Sequence, residues 1–123
     1  MREKTLCKRN EFLKIAKELE LDVLLETHDE KEVQMALLSG AEIIGINNRN
    51  LNTFEVSIDT TIKLLELIPK DKIVVSESGF DNENDIKKIK NTRVNAILVG
   101  ESFMRTDDIL GKAKLFRKSF VGD

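Results

Sequence analysis

The sequence predicts an α/β fold built on four parallel strands, and three observations carry that prediction. Four times, a short apolar run is followed by a polar turn and then by a stretch with helical periodicity. The runs are apolar at successive positions, as in strands covered on both faces. The repeat of about 20 to 30 residues suits βα units joined by right-handed crossovers. With 123 residues, the chain is long enough for one domain with its own core and too short for two ordinary ones.

A helix comes first, over about residues 10–20 with room to begin earlier, where Phe12, Ile15, Ala16 and Leu19 recur at helical spacing. The first strand is centred on Val23-Leu24-Leu25. A second helix opens at Asp29, with Glu32 three residues on as in a capping box. It turns Val33, Ala36 and Leu37 to one face and stops at Gly40, a natural C-terminal cap. Ile43-Ile44-Gly45-Ile46 is the second strand. The third helix runs from about Ile58 to Leu67, capped by Ser57 and ended ahead of Pro69, the chain's one proline. Ile73-Val74-Val75 is the third strand, followed by a helix from near Asp81 that buries Ile86 and Ile89. Ala96-Ile97-Leu98-Val99 is the fourth strand. The last helix begins after Thr106, where Asp107 and Asp108 complement the positive end of its dipole, and presents Leu110, Ala113 and Phe116 inward. The order is α-β-α-β-α-β-α-β-α, without a linker or low-complexity tract.

Composition narrows the function. The formal net charge is -2, which argues against nucleic acid, since duplex binding relies on clustered Lys and Arg. Charged residues of both signs are interspersed and make up 34% of the chain, as on a solvated surface. Cys7 is the only cysteine, so neither an internal disulfide nor a cysteine metal cage is available, and it reads as an incidental thiol. No apolar run approaches the roughly 20 residues of a membrane helix. The charged start Met1-Arg2-Glu3-Lys4 is unlike a signal peptide. The expectation is a cytoplasmic protein with no membrane partner.

In parallel α/β folds, function collects in the loops after the strand C-termini. Taking the residue that closes each strand gives Glu26, Asn47, Glu77 and Gly100. Two carboxylates and an amide at equivalent positions exceed what a purely structural sheet needs, because a buried charge is costly unless paired. The alternative, that Glu26 and Glu77 merely reach solvent at the sheet edge, stays open on the residues alone. Arg49, in the turn Asn47-Asn48-Arg49-Asn50-Leu51, could grip a carboxylate or phosphate in bidentate fashion, or lie idle in a polar loop. Ser78-Gly79 and Gly100-Glu101 let backbone come close to an anion, and at consecutive strand ends they match a barrel phosphate site. His28 has no second His or nearby Cys to share a metal. Phe54, Phe80 and Phe103 follow three strands and read as plugs between loop and helix.

Four blocks then resemble indole-3-glycerol phosphate synthase: Leu25-Glu26-Thr27-His28-Asp29; Ile44-Gly45-Ile46-Asn47-Asn48-Arg49-Asn50-Leu51 with Thr53-Phe54-Glu55; Val75-Ser76-Glu77-Ser78-Gly79; and Leu98-Val99-Gly100-Glu101-Ser102-Phe103-Met104. They cover nearly the whole chain. The resemblance implies the C-terminal half of a (β/α)₈ TIM barrel, strands five to eight of the family, as one half-barrel domain over residues 1–123 with an extra N-terminal helix. It implies the tryptophan-biosynthetic conversion of 1-(2-carboxyphenylamino)-1-deoxyribulose 5-phosphate to indole-3-glycerol phosphate, with loss of carbon dioxide and water and no cofactor or metal. Glu26 is then the fifth-strand acid/base, Asn47 a sixth-strand catalytic residue and Glu77 the seventh-strand carboxylate. Arg49 and Ser78 bind substrate, and Ser78, Gly79, Gly100 and Glu101 cradle its phosphate. Some members carry serine where Glu101 stands; the difference matters little if the backbone N–H is what contributes, whereas a side-chain contact to phosphate is lost, since a carboxylate repels one.

The family's first-strand glutamate and lysine and its third-strand lysine have no counterpart here. No lysine ends a strand on the active face, and Lys72 precedes its strand. Arg49 does not replace them, because guanidinium keeps its proton. The isolated half is therefore expected to be inactive. The alternative is a non-catalytic phosphate-binding or self-assembling module. Alternation puts Leu24, Glu26, Ile43, Asn47, Ile73, Val75, Ala96 and Leu98 toward the lumen, and Val23, Leu25, Ile44, Ile46, Val74, Ile97 and Val99 toward the helices. An uncovered apolar lumen and two free edges predict association with a complementary N-terminal half or with a second copy.

Overall fold

The computed structural model describes residues 2–122, with side chains from residue 8 onward, so Cys7 lies outside the described side chains. Ten elements follow in order: α1 (Arg2–Glu18), β1 (Leu24–Thr27), α2 (Glu30–Leu38), β2 (Ile43–Asn47), α3 (Asp59–Leu65), β3 (Ile73–Glu77), α4 (Glu83–Lys90), β4 (Ala96–Leu98), α5 (Glu101–Met104) and α6 (Ile109–Val121). The strands form one parallel sheet in sequence order, β1-β2-β3-β4. An unbroken order without a reversal is that of a barrel segment rather than a doubly wound sheet. The fold is thus α/β, with the architecture of half a (β/α)₈ barrel.

One sheet face carries the core. Ile44, Ile46 and Val74 are fully buried against Val33, Ala36, Leu64, Ile86 and Ile89 from the helices. The opposite face is the lumen side, where Leu24, Ile73 and Leu98 are 42%, 46% and 52% exposed. This is the alternation the strand-end residues predict. No helix among the described residues is long and apolar enough to cross a membrane.

The helix ends follow local chemistry. The helix expected from about residue 10 starts at Arg2 and ends in a left-handed Glu20 (φ 58°), with Leu21 N–H on Ala16 O and Glu20 N–H on Lys17 O. Gly40 (φ 78°) closes α2 in the same way, and Asp29 caps its start by accepting from Glu32 N–H. For α3 the capping residue is Ile58, without a side-chain cap, while Ser57 Oγ accepts from Asp59 N–H at 3.3 Å. The regular helix stops at Leu65 and tightens through Leu67 and Ile68, which donate three residues back. Arg93 donates to the carbonyls of Leu65 and Ile68 and so satisfies that end. Asn82, one residue later than expected, forms a reciprocal capping box with Asp85 at the start of α4.

Four features differ from expectation. Phe12, Ile15 and Leu19 are exposed, because α1 precedes an edge strand and, among the described residues, packs extensively on no other element. Leu110 is exposed, since it lies in the first turn of α6, ahead of the stretch where Phe116 reaches α4 and stacks on Phe103 at 5.7 Å. One short helix, α5, was not expected. Of the three loop phenylalanines, Phe80 is buried and Phe103 half-buried, but Phe54 is exposed with φ 61°.

Candidate active site

The strand C-termini bring the carboxylates together. Strand register aligns Asn47 with Glu77, and Glu26 with Gly45. Gly45 lies between Ile43 and Asn47 on the lumen side and has no side chain to fill the space above it. Glu77 uses that space: a Cβ on Gly45 would lie 2.4 Å from Glu77 Oε2. A glycine in mid-strand costs sheet stability, and here it makes room for a neighbouring carboxylate.

Glu77 is 5% exposed, and its Oε2 has no hydrogen-bond partner among the described residues. Burial, and then the neighbouring Glu26 carboxylate, push its pKa above the ordinary value, with His28 opposing. Glu26 is half-exposed and lies 3.3 Å from His28 Nε2, without hydrogen-bond alignment. The other ring nitrogen, Nδ1, is 3.2 Å from Glu32 Oε1 on the first turn of α2. His28 is thus held between two carboxylates. No group of His, Cys, Asp and Glu among the described residues could hold a metal ion.

Asn47 and Asn48 diverge because successive residues point to opposite faces. Asn47 stays on the lumen side, where Oδ1 accepts from Arg49 N–H at 3.0 Å. Asn48 is 2% exposed and fully bonded. Its Nδ2 donates to Ser76 Oγ and to Ser78 O, both at 3.0 Å. Its Oδ1 accepts from Thr61 N–H at 3.2 Å and from Thr61 Oγ1 at 2.7 Å. The Thr61 and Ser76 hydroxyls share a further 2.7 Å bond. This network ties the loop after β2 to α3, to β3 and to the Ser78 turn, and the reading of strand-end residues missed it. Its signal was available: Asn48 and Ser76 both fall on the helix-facing parity, where a polar residue needs partners.

The loop from Arg49 to Val56 folds on itself. Arg49 and Val56 form an antiparallel bridge, and Asn50 Oδ1 accepts from the N–H groups of Asn52 and Thr53. Its return passes under the next turn: Ser78 and Gly79 are both left-handed (φ 71° and 86°), and a Cβ on Gly79 would meet Val56 Cγ1 at 2.7 Å. Glycine is therefore required at 79 on two grounds, conformation and space. Ser78 N–H is used by Leu98 O at 3.3 Å, which fixes the turn to the end of β4.

Arg49, Ser78, Gly79, Gly100 and Glu101 line one cavity of about 230 Å³, together with Asp81, Ser102 and Arg105. Arg49 is ion-paired with Glu101 across it. A second cavity of about 380 Å³ runs from His28 and Glu32 past Asn47 to Arg49 and Glu55. Arg49 lies on both. The catalytic and binding residues expected from the sequence thus fall at one end of the sheet, with Glu26 and Glu77 on the lumen side and the two turns at the β3–β4 side.

Comparison with known proteins identifies the family. The sequence model of indole-3-glycerol phosphate synthase matches residues 3–116. The chain is 51% identical over 111 residues to the indole-3-glycerol phosphate synthase of Caldanaerobacter subterraneus subsp. tengcongensis, covering 90% of this chain and 43% of that protein. It is 52% identical over 106 residues to the enzyme of the same name from Alkaliphilus metalliredigens, covering 86% and 41%. The chain therefore spans less than half the length of these relatives. Among solved structures, a chain of the Amycolatopsis orientalis BexX/CysO complex superposes with a TM-score of 0.70 over 98% of this chain and 48% of its own. At 17% identity that likeness concerns the fold alone. By the extent of the sequence match, the chain belongs to the indole-3-glycerol phosphate synthase family.

Proposed function

We propose that this chain supplies the carboxylate and anion-binding half of an indole-3-glycerol phosphate synthase site. The substrate is a sugar phosphate, 1-(2-carboxyphenylamino)-1-deoxyribulose 5-phosphate, and the reaction is its decarboxylative ring closure in cytoplasmic tryptophan biosynthesis. One observation supports this above the others: Glu26, Asn47 and Glu77 gather at the same strand ends as the Ser78-Gly79 and Gly100-Glu101 turns.

In this reading Glu26 moves protons in ring closure and dehydration, and His28 steadies it. Burial keeps a proton on Glu77 to higher pH than an ordinary carboxyl holds one, which suits a group facing a developing oxyanion. Asn47 fixes the loop through Arg49 N–H, and Arg49 takes the substrate's carboxylate and hydroxyls. Ser78, Gly79, Gly100 and Glu101 surround the phosphate, with backbone N–H groups other than that of Ser78, which Leu98 O already takes, to donate to it. No lysine closes a strand at this end among the described residues. The general acids that protonate the ketose oxygen then come from the part of the relatives that this chain does not span, a complementary N-terminal half-barrel.

The test is indole-3-glycerol phosphate formation by this chain alone and mixed with the N-terminal part of a relative. Turnover is expected only in the mixture, and Glu26→Gln in this chain is expected to abolish it. Turnover by the isolated chain would show that the lysine half is dispensable. The exposed lumen row of Leu24, Ile73 and Leu98 favours a second reading, a self-assembling phosphate-binding half-barrel. A stable monomer by sedimentation at micromolar concentration would eliminate that one.

A further inference from the structure

Around the cavity walled by the two turns, the charges alternate within the protein. Arg49 Nη2 pairs with Glu101 Oε2, and Glu101 Oε1 lies 3.8 Å from Arg105 Nη1. Arg105 Nη2 is in turn 2.5 Å from Asp81 Oδ1. All four side chains line the same cavity as Ser78, Gly79 and Gly100. They come from four separate places: the loop after β2, the loop after β3, and the first and last turns around α5, where Glu101 and Arg105 are four residues apart.

Glu101 and Arg105 are each more than half exposed, and ion pairs in such positions hold weakly. A phosphate that meets two guanidinium groups makes charge-assisted, fork-like bonds that a single carboxylate stretched between them does not. The two interactions use the same N–H donors, so they compete.

We propose that Glu101 is an internal competitor for the anion at this cavity: its carboxylate holds Arg49 and Arg105 through the donors a phosphate would take, and phosphate binding swings it out. The inference rests on the two turns being a phosphate cradle and extends that reading in two ways. It makes Arg105, which no motif singled out, a ligand of the anion. It also makes residue 101 the position that sets how tightly the cradle holds, since a neutral side chain there leaves Arg49 and the Nη1 side of Arg105 to the ligand, with Arg105 Nη2 still on Asp81.

The experiment is titration of the full chain with inorganic phosphate at low ionic strength, followed by calorimetry and by backbone amide NMR shifts. The variants are Glu101→Gln, Arg105→Ala and the two combined. Glu101→Gln keeps the size of the side chain and removes its charge. It is expected to tighten phosphate binding about fivefold, equivalent to ~1 kcal/mol. Arg105→Ala is expected to cancel that gain in the combined variant. Unchanged or weaker binding by Glu101→Gln, with phosphate still shifting the Ser78, Gly79 and Gly100 amides, would overturn the competitor role and leave the cradle standing. If phosphate shifts none of those amides in either protein, the cradle falls and the competitor role with it.

Discussion

Replacing Asn48 with alanine isolates the contribution of the buried network behind the site. The side chain makes four hydrogen bonds, to Ser76 Oγ, Ser78 O, Thr61 N–H and Thr61 Oγ1. On its loss, the Thr61 and Ser76 hydroxyls keep each other at 2.7 Å. Thr61 N–H keeps Ile58 O at 3.0 Å, while Ser78 O loses the partner the network gave it. At about 1–3 kcal/mol for a buried group left unsatisfied, Asn48→Ala is expected to cost about 1–3 kcal/mol in urea unfolding at fixed pH. The control is its neighbour: Asn47→Ala removes one half-buried bond to Arg49 N–H and is expected to cost about 1 kcal/mol or less. Thr61→Val deletes only the hydroxyl, and because it shares partners with Asn48 the double variant should fall well short of the sum. A loss below about 1 kcal/mol for Asn48→Ala, or equal losses at 47 and 48, would refute the argument that the two asparagines have opposite roles.

Two further predictions concern the floor of the lumen. Gly45→Ala places a methyl 2.4 Å from Glu77 Oε2 and is expected to cost about 1–3 kcal/mol, much of it recovered when Glu77 is also changed to alanine; strictly additive losses would show that the carboxylate does not occupy that space. Glu77 binds its proton more tightly in the folded than in the unfolded chain, because burial and then Glu26 raise its pKa above the ordinary 4.5. The linkage then makes Glu77 destabilising above its folded value, with that penalty disappearing as pH falls from there toward 4.5. Glu77→Gln should accordingly gain stability over the parent at pH 8 and lose that advantage near pH 5, and a pH-independent difference between the two would contradict the shift.

The strands and most helix ends were legible because they depend on local chemistry. Apolar runs, Asp29 as a cap and Gly40 as a stop all act within a few residues of themselves. The strand-end rule likewise brought Glu26, Asn47 and Glu77 to one end of the sheet. What was not legible depends on partners distant in sequence. Asn48 bonds residues 13 to 30 positions away, and Arg93 caps a helix 25 to 28 residues earlier. The face of α1 misled for a related reason: periodicity says that Phe12, Ile15 and Leu19 share a side, not that anything lies against it.

The divergence of Asn47 and Asn48 also bears on how β2 finds its place. A parallel strand as apolar as Ile43-Ile44-Gly45-Ile46 has little in its own composition to reject a shift by one residue, which would exchange its two faces. The asparagine pair makes that shift expensive. Slipped by one, Asn47 would enter the helix-packed layer without Thr61 and Ser76 in reach of both ends of its amide, and Asn48 would be left among the lumen carboxylates. Gly45 would leave the floor beneath Glu77 at the same time, and an isoleucine would take its place. The residues around the site therefore proofread the alignment of the strand that carries them, so that a chain folded out of register is penalised for its chemistry before it is penalised for its packing.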